Sequence, residues 1–381
     1  MRIAINGRHL GKNKTGVGRY LLSILEIWAK EAPKHEFFVY YSSEILQKED
    51  LAVFENSNNI VPRKVPRPLK TNSFLLWYIF SLPRAVRKDK IDFFFSPDYF
   101  LPPFLRDIPS SMTIHDVSYL AHPEWFSIPY RVYCQIFSKH QAQSANLIFA
   151  VSQFSKDEIL KYIRIKSERV LVTYEASHLK LNSESPSTEE LDKLGINGKY
   201  FFYIGKMFNR RHIAEMLEAF SHYLDNSGDK TTQFVLRGGN ETHPFIDISK
   251  IISEINTKNK RDAIILLPFI DDRTLHNLYS NSAGFFYLST YEGFGLPVLE
   301  SLTCGTPTIT VKASSIPEVA GDAAIYVDPI DITKLSEVMS RLLSDENWVE
   351  MLRERSINQS SKFSWHSTAL KTLRAIEKYN E

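Results

Sequence analysis

The stretch STYEGFGLPVLESLTCGTP, residues 289–307, follows directly on a strand-like apolar run, GFFYL, at 284–288. Gly293 and Gly295 permit a tight backbone path, and Pro297 suits the first position of a helix. The positive N-terminal end of that helix would attract a diphosphate group. The stretch therefore predicts a strand, a tight turn and a helix whose N-terminus takes part in a binding site.

Two glutamates belong to this turn and helix. Glu292 lies on the predicted loop, and Glu300 lies eight positions on, in the predicted first turn of the helix. Carboxylates accept hydrogen bonds from neighbouring hydroxyls, so both glutamates could bind one polyhydroxylated ligand. The plainer alternative is that Glu300 only complements the helix dipole and that Glu292 is solvated.

Outward from this stretch, apolar runs rich in aromatic and β-branched residues alternate with amphipathic segments. Runs that are apolar throughout suit strands buried on both faces of a parallel sheet. The first predicted series of strands is 2–5, 37–41, 92–95, 112–114, 147–151 and 170–173. The second predicted series is 200–204, 233–236, 263–267, 284–288, 308–311 and 324–327.

A polar segment, HLKLNSESPSTEE at 178–190, separates the two series and is typical of a linker. We therefore predict an α/β protein with two Rossmann-like, doubly wound parallel-sheet domains that face each other across a ligand-binding cleft. The predicted domains are residues 1–180 and 181–362. Residues 363–381 are predicted to form a C-terminal helix that packs back on the N-terminal domain.

The composition excludes several classes of protein. The 381 residues include 46 Lys and Arg against 44 Asp and Glu, so a net charge of +2 is too small to drive nucleic-acid binding. The two cysteines, Cys134 and Cys304, match no metal-binding spacing and indicate a reduced, intracellular protein. Because we find neither a secretory signal nor a run of about 20 apolar residues, we expect a cytoplasmic protein, at most bound to the inner face of the membrane.

The run EGFGLPVLE at 292–300 resembles the signature of the retaining glycosyltransferases of family 4, which have the GT-B fold. The run SSIPEVAGDAAIYVDP at 314–329 continues the resemblance, which covers nearly the whole chain. It implies that Glu292 binds the donor sugar near the reacting centre and that Glu300 binds the ribose of the nucleotide. The same resemblance adds the residues between them to the donor site: Gly293, Phe294, Gly295, Leu296 and Pro297.

A second segment, YIGKMFNRRHIAEMLEAF at 203–220, carries Lys206, Arg210 and Arg211 at a predicted strand-to-helix turn. Guanidinium groups bind phosphate oxygens in a fork, although a solvated basic loop is the alternative. The family usually has Arg-Lys-Asn here, with the lysine on the diphosphate. Arg211 and His212 replace the lysine and the asparagine, so the resemblance implies a diphosphate role for Arg211, with Lys206 and Arg210 as further candidates.

The segment KNKTGVGRY at 12–20 is predicted to be a loop between the first strand and the first helix. Gly16 and Gly18 would let backbone N–H groups approach an anion. Leu21 stands where the nicotinamide fingerprint needs a third glycine, so no nicotinamide site is predicted. A similar glycine loop in the resembling family closes on the donor phosphates, which implies the same role for Gly16 and Gly18.

His115 and Asp116 lie at the end of the strand predicted at 112–114. A histidine in such a place is more often a structural residue with satisfied hydrogen bonds than a catalyst. The matching histidine of the family faces the donor sugar, which implies a sugar contact for His115. Asp116 is expected to orient the loop or the acceptor.

Several polar residues are better explained as helix caps. The run SQFSKDE at 152–158 predicts a capping box with Ser155 as N-cap and Glu158 three residues on, and Asp271 predicts another cap. Glu175 stands at a further strand end. Because no metal-ligand spacing occurs in the sequence, we expect neither a metal nor another cofactor.

Basic and aromatic residues gather at 61–70, 74–80 and 84–90. Such a patch could hold the protein on an anionic membrane that carries a lipid-linked acceptor. A solvated loop beside a core helix is the alternative.

The expected function is retaining transfer of a hexose from a nucleotide-diphosphate sugar to a hydroxyl of a glycan or lipid-linked saccharide, in polysaccharide or lipopolysaccharide synthesis. The runs INGRHL, TGVGRY and IHDVSYLAHPEWF resemble mannosyltransferase members of the family, which favours GDP-mannose as donor. UDP-hexose or UDP-N-acetylhexosamine is the alternative donor. A nucleotide-sugar epimerase, a phosphorylase and a non-catalytic sugar- or nucleotide-binding protein are the remaining alternatives.

Overall fold

The computed structural model of the protein describes residues 1–11, 16–42, 48–67, 76–103, 105, 107–179 and 188–381. The chain forms two compact units, one of residues 1–176 with 363–381 and one of residues 177–362. The first unit has 27 Lys and Arg against 19 Asp and Glu, and the second has 19 against 25. The near-neutral chain is therefore the sum of a unit with a formal charge of +8 and a unit with −6.

The first unit is built on a parallel sheet of seven strands in the order β3-β2-β1-β4-β5-β6-β7. Its strands are β1 Arg2–Asn6, β2 Glu36–Tyr41, β3 Ile60–Lys64, β4 Phe93–Ser96, β5 Ser110–Ile114, β6 Leu147–Ala150 and β7 Val170–Val172. Six of the seven are the predicted strands of the first series. Runs such as FFFS in β4 are buried throughout, as strands covered on both faces must be.

The strand that the sequence analysis missed is β3. Its burial alternates along the strand, it contains Pro62, and it lies at the edge of the sheet, where the missing N–H of proline breaks no ladder. The loop predicted as the alternative at 61–70 is therefore wrong for residues 61–64, which form β3, whereas a basic patch stays a prediction; residues 68–70 lie outside the described part of the chain.

The second unit is built on a parallel sheet of six strands in the order β10-β9-β8-β11-β12-β13. All six were predicted, within one or two residues: β8 Tyr200–Ile204, β9 Gln233–Arg237, β10 Ile264–Leu267, β11 Gly284–Tyr287, β12 Thr308–Thr310 and β13 Ala324–Tyr326. In both sheets the first strand of the series lies beside the fourth. Ligands of open parallel sheets bind at such a switch of strand order, at the carboxyl ends of the strands.

Helices connect the strands of both sheets. They are α1 Gly16–Glu31, α2 Lys48–Glu55, α3 Leu82–Lys88, α4 Ser118–Ala121, α5 Ile128–Tyr133, α6 Lys139–Ser144, α7 Gln153–Tyr162, α8 Thr188–Lys193, α9 Ile213–Ser227, α10 Ile248–Asn259, α11 Asp272–Asn281, α12 Leu296–Thr303, α13 Ile316–Ala320, α14 Ile332–Ser344, α15 Glu346–Ser360 and α16 Trp365–Asn380. Two π-helical turns, Trp77–Ser81 and Cys134–Ser138, precede α3 and join α5 to α6. In the described part of the chain, no helix is both long and apolar enough to cross a membrane.

The C-terminal helix α16 is part of the first unit. Trp28 of α1 donates a hydrogen bond from its indole Nε1 to the carbonyl of Ala369 at 2.8 Å. His35 bonds to Glu377 Oε1 at 2.8 Å, and Ala369, Leu373 and Ile376 belong to the same core cluster as Trp28. Residues 363–381 thus complete one face of the first sheet.

The opposite face of the first sheet buries part of the predicted membrane patch. Trp77 is fully buried, and its Nε1 donates to the carbonyl of Val65 at 2.9 Å. Tyr78 is also buried in this core. Both rings fill the space between the sheet and α3, so the aromatic run at 74–80 is not a surface patch at these two positions. Residues 74 and 75 lie outside the described ranges.

Two local predictions need correction. Helix α1 begins at Gly16, so Gly16 and Gly18 lie in its first turn and not in the predicted loop, whose residues 12–15 lie outside the described ranges. The helix therefore begins about one turn earlier than the end of the predicted loop at Tyr20. Ser152, not Ser155, caps α7, because Ser152 Oγ accepts the Ser155 N–H at 2.9 Å.

The predicted cap at Asp271 is confirmed. Its side chain accepts the N–H of Thr274 at 2.8 Å and begins α11. The capping bonds lower the pKa of the Asp271 carboxyl.

Candidate active site

The candidate site lies in the second unit, at the carboxyl edge of its sheet. Loop residues 205–206 follow β8, residues 288–292 follow β11 and residues 311–315 follow β12. Because the strands are parallel, all of these loops leave the sheet at the same edge. The two motifs that the sequence analysis singled out, around Arg211 and around Glu292, meet there.

Glu292 is the centre of this site. Its Oε1 accepts hydrogen bonds from Arg211 Nε at 3.0 Å and Nη2 at 2.8 Å. The same oxygen accepts from Tyr287 OH and from Ser289 Oγ, each at 2.8 Å. Within the described ranges, every hydrogen bond to the Glu292 side chain ends on Oε1. Glu292 is therefore held in one position while its Oε2 is left to accept a bond from a ligand.

The electrostatics of the site keep this carboxylate ionised. Burial acts to raise the pKa of Glu292, but the charges of Arg211 and Arg210 outweigh it, so the pKa lies below its ordinary value. Burial acts to lower the pKa of Arg211, yet Glu292 raises it well above the ordinary value. Burial also raises the pKa of Tyr203 to about 12 and raises the pKa of Tyr287 well above its ordinary value. The site thus presents a fixed ion pair and neutral phenol donors at neutral pH.

Two serines hold the Glu292 loop. Ser314 Oγ accepts the Glu292 N–H at 3.0 Å, and Ser315 Oγ donates to the carbonyls of Glu292 at 2.9 Å and Phe294 at 2.8 Å. Ser314 has a left-handed backbone with φ of 51°, which is rare for residues other than glycine and often marks functional sites. Both serines belong to the run SSIPEVAGDAAIYVDP, but the sequence alone predicted no role for them. Their place, directly after a strand and before the proline of α13, was the available signal.

Two glycines are required by close approaches in this site. Gly205 has φ of 139°, and a Cβ there would lie 2.7 Å from Arg211 Nη1. Gly295 has φ of 101°, and a Cβ there would lie 2.7 Å from Ile316 Cδ1. Glycine at 205 lets the guanidinium lie against the loop, and glycine at 295 lets the Glu292 loop enter α12.

The second glutamate of the motif lies deeper in α12 than expected. Because left-handed Gly295 caps the helix and Leu296 begins it, Pro297 is its second residue and Glu300 its fifth, so the predictions of first position and first turn are wrong. Glu300 is buried, accepts a bond from Tyr279 OH at 3.1 Å, and lies 3.3 Å from His178 Nδ1. A carboxylate complements the helix dipole in the first turn of a helix, and Glu300 lies beyond that turn.

The three cations of the second motif have different surroundings. Arg211 donates from Nη1 to the Lys206 carbonyl at 2.8 Å, besides its bonds to Glu292. Lys206 itself is 63% exposed and pairs with Glu241 at 3.0 Å. Arg210 donates to the Tyr291 carbonyl at 3.3 Å. The structure brings Arg210 and Arg211 to Glu292, whereas the Lys206 side chain lies at the surface, and a diphosphate role stays a prediction for all three.

In the first unit, both ring nitrogens of His115 bond to the protein. Nδ1 lies 2.8 Å from Glu175 Oε1, and Nε2 lies 2.9 Å from the carbonyl of Pro97. Burial acts to lower the pKa of His115, but the Glu175 carboxylate outweighs it and the pKa is raised. Two acceptors around one ring suit the doubly protonated imidazolium. A contact of His115 with the donor sugar stays a prediction.

Asp116, the predicted acceptor-side residue, lies on the loop that follows β5. Its Oδ1 accepts the N–H of Ser118 at 2.8 Å and the hydroxyl of Ser118 at 2.7 Å. These bonds start α4 immediately after the loop. Asp116 therefore orients the loop, which is one of the two roles expected for it.

A buried cluster around Asp98, at the carboxyl ends of β1 and β4, was not predicted from the sequence. Asp98 Oδ2 lies 3.0 Å from Arg8 Nη2 and 2.6 Å from His9 Nε2, and Oδ1 accepts from Ser96 Oγ at 2.9 Å. Burial acts to raise the pKa of Asp98, but Arg8 and His9 lower it below its ordinary value. Arg8 and Tyr78 also line a cavity of about 710 Å³ with mostly apolar walls. No motif marks these residues; only their positions after two central strands could have indicated them.

The described ranges contain no group of three His, Cys, Asp or Glu side chains that could hold a metal ion. Cys134 and Cys304 are both buried thiols, and burial raises the pKa of Cys304 to about 12.

Comparison with known proteins gives the class of protein that has this fold and site. Residues 187–362 match the family model described as glycosyl transferases group 1, and residues 14–176 match the model for glycosyltransferase family 4. The chain therefore belongs to the family 4 glycosyltransferases, whose fold is GT-B. The resemblance expected from the EGFGLPVLE and SSIPEVAGDAAIYVDP runs is confirmed.

Individual relatives match over most of their length. The O-antigen chain mannosyltransferase B of Escherichia coli is 28% identical over 373 residues, which are 95% of this chain and 96% of that protein. The O-antigen chain mannosyltransferase RfbU of Salmonella typhimurium is 24% identical over 86% of this chain and 87% of that protein. The crystal structure of Anabaena HepE in complex with UDP-glucose superposes with a TM-score of 0.74 at 16% identity, over 99% of this chain and 100% of HepE.

Proposed function

We propose that this glycosyltransferase moves mannose from GDP-mannose to a hydroxyl of a glycan or lipid-linked saccharide, in synthesis of a polysaccharide of the O-antigen type. The choice of sugar is supported by two relatives, both O-antigen chain mannosyltransferases, that match nearly the whole chain. The observation that carries the assignment of the reacting site is the Arg211–Glu292 pair with the unbonded Glu292 Oε2. We assign the sugar hydroxyls of the donor to that oxygen.

The proposed reaction retains the configuration of the sugar. The bond from the anomeric carbon to the diphosphate oxygen breaks, and the acceptor oxygen bonds to that carbon on the same face. The acceptor proton passes to the departing phosphate oxygen, and GDP leaves. This route needs no carboxylate nucleophile, so Glu292 is assigned only to binding the donor sugar.

The largest catalytic contribution in this proposal is stabilisation of the departing diphosphate. Arg210, Arg211 and the N-terminus of α12 supply positive charge at this edge of the sheet. The proposal therefore uses no metal ion. Glu300, buried beside Tyr279 and His178, is assigned to the ribose hydroxyls.

The acceptor is assigned to the first unit. Its formal charge of +8 suits an anionic lipid carrier or an anionic membrane surface. We therefore propose peripheral contact with the cytoplasmic face of the membrane, where a lipid-linked acceptor would be met.

The test begins with calorimetric titration of the wild-type protein with GDP, UDP and ADP, repeated on Arg211→Ala. We expect GDP to bind selectively and Arg211→Ala to weaken it at least about tenfold, since charge-assisted bonds contribute about 1.5–3 kcal/mol. Arg273→Ala is the matched control, because Arg273 is an exposed arginine of the same unit that pairs with Glu190. Transfer from GDP-mannose is then measured with and without a chelator, and NMR of the product gives the anomer.

Each other outcome selects an alternative. Selective binding of UDP would replace the donor by UDP-hexose or UDP-N-acetylhexosamine. Turnover of the nucleotide sugar without an acceptor would indicate an epimerase. If no diphosphate bound, the non-catalytic binding protein would be the better hypothesis, and loss of transfer on chelation would contradict the metal-free route.

A further inference from the structure

The feature of the first unit that the catalytic proposal leaves unused is a helical run at 128–144, formed by α5, the π turn and α6. Ile128, Val132 and Ile136 recur every four residues along it and are 74%, 49% and 61% exposed. This spacing places them in one stripe along the run. Large aliphatic side chains aligned on a water-facing surface mark an interaction surface.

The buried side of the same run is made of small residues. Cys134, Ser138 and Ala142 also recur every four residues, and each is at most 4% exposed. The run therefore buries its small side chains and exposes its large apolar ones, the reverse of an amphipathic helix in water. The core of the unit does not use the aliphatic stripe, so the function of the stripe must be a contact outside the core.

The charge around the stripe identifies its partner. No Asp or Glu occurs between Glu124 and Asp157, whereas Arg131 and Lys139 lie on the run itself. Arg131 is exposed and Lys139 is half-buried. Aliphatic side chains beside cations, with no acidic residue among them, suit the headgroup boundary of an anionic bilayer.

We propose that the stripe of Ile128, Val132 and Ile136, with Arg131 and Lys139 beside it, docks the first unit on an anionic lipid bilayer. The proposal identifies the surface that makes the membrane contact. It rests on the proposed function only for the purpose of that contact, which is access to a lipid-linked acceptor.

This surface replaces the patch expected at 61–90. There, Trp77 and Tyr78 fill the core. Two of the basic residues are already paired, Arg63 with Asp89 and Arg87 with Asp107, each at 3.1 Å. The 61–90 segment therefore offers fewer apolar and cationic groups to a bilayer than its sequence suggests.

The test measures sedimentation of the full-length protein with vesicles of phosphatidylethanolamine and phosphatidylglycerol, at low and high salt. The variant Ile128→Gln/Val132→Gln/Ile136→Gln keeps helix-forming residues and should bind at least about tenfold more weakly, because each aliphatic side chain loses its burial in lipid. Arg131→Gln/Lys139→Gln should weaken binding to anionic vesicles but not to neutral ones. The matched control is Phe245→Gln/Ile330→Gln, which removes exposed apolar side chains from the second unit and should bind as the wild type does.

Transfer to a water-soluble acceptor separates this proposal from the proposed function. A triple variant that transfers normally but leaves the vesicles supports the docking surface. Vesicle binding that survives in the triple variant overturns it, as does a wild type that does not bind. A wild-type dimer that becomes monomeric in the triple variant, with no vesicle binding, would make the stripe a protein interface. A wild type that binds vesicles normally but transfers no sugar would count against the proposed function alone.

Discussion

Each sheet buries a carboxylate at the same topological place, after its fourth strand. The two carboxylates differ in whether an oxygen atom remains available to a ligand. Asp98 follows β4, the fourth strand of the first unit, and pairs with Arg8, which follows the first strand. Glu292 follows β11, the fourth strand of the second unit, and pairs with Arg211, which lies between the first strand of that sheet and α9. The switch of strand order therefore creates a buried ion pair in both units.

The difference lies in the carboxylate oxygens. Asp98 uses both: Oδ2 bonds to Arg8 and His9, and Oδ1 accepts from Ser96 and the N–H of Phe100. Among the described residues, all hydrogen bonds to the Glu292 side chain instead converge on Oε1. A buried ion pair at a strand end is thus not by itself a binding site; the unused acceptor atom makes Glu292 one, whereas Asp98 is committed to holding its own loop.

The largest effect that this comparison predicts is on turnover. Glu292→Gln should lower kcat by about 10³-fold, in the range found when one preorganised electrostatic group is removed from an active site. The glutamine carbonyl can still accept from Tyr287 and Ser289, so the fold should persist, but Arg211 loses its countercharge and the free energy of unfolding should fall. Steady-state transfer from GDP-mannose and a circular dichroism spectrum measure the two effects, and near-native transfer would falsify the role of Glu292.

The matched change in the first unit should act on stability instead. Asp98→Asn leaves Arg8 buried without a countercharge and should lower the free energy of unfolding by about 3 kcal/mol, the usual cost of breaking a buried ion pair. Turnover per folded molecule should change little. Denaturant titration and active-site titration with nucleotide measure the two quantities. A stable Asp98→Asn protein without activity would contradict the comparison and place Asp98 in the reacting site.

A smaller effect concerns pH and His115. The folded-state pKa of His115 is raised, so its contribution to stability is fully present below about pH 6.5 and is lost as pH rises through the folded-state value. Wild-type stability should therefore decline as pH rises above about 6.5, and His115→Gln should flatten that decline. Denaturant titrations from pH 6 to pH 9 measure it, with His222→Gln as control. Equal slopes in wild type and His115→Gln would show that the bond to Glu175 does not favour the imidazolium.

The sequence predicted the strands well because nearly all of them are apolar throughout, and central strands such as β4 and β11 are buried on both faces. The exception, β3, is an edge strand with one exposed face and a proline, so its pattern resembles a loop. The Arg211 and Glu292 motifs were likewise visible, since their spacing is tied to a glycine turn and a helix start.

What the sequence could not give was pairing between distant segments. Nothing in the local pattern indicates that Ser314 and Ser315 hold the backbone around Glu292, or that Asp98 meets Arg8 across two strands. For the same reason the sequence left open whether Trp77 and Tyr78 belong to a surface patch or to a core helix. Burial is decided by the sheet against which a segment packs, and the segment does not contain that information.

The return of residues 363–381 to the first unit has a consequence for synthesis of the protein. The core around Trp28 includes Ala369, Leu373 and Ile376, so it cannot be completed until the ribosome has made the whole of the second unit. Residues 177–362, by contrast, form a continuous segment that can fold once it has emerged. During translation the N-terminal half therefore remains with part of one face of its sheet uncovered, and chaperones have their longest opportunity to bind there.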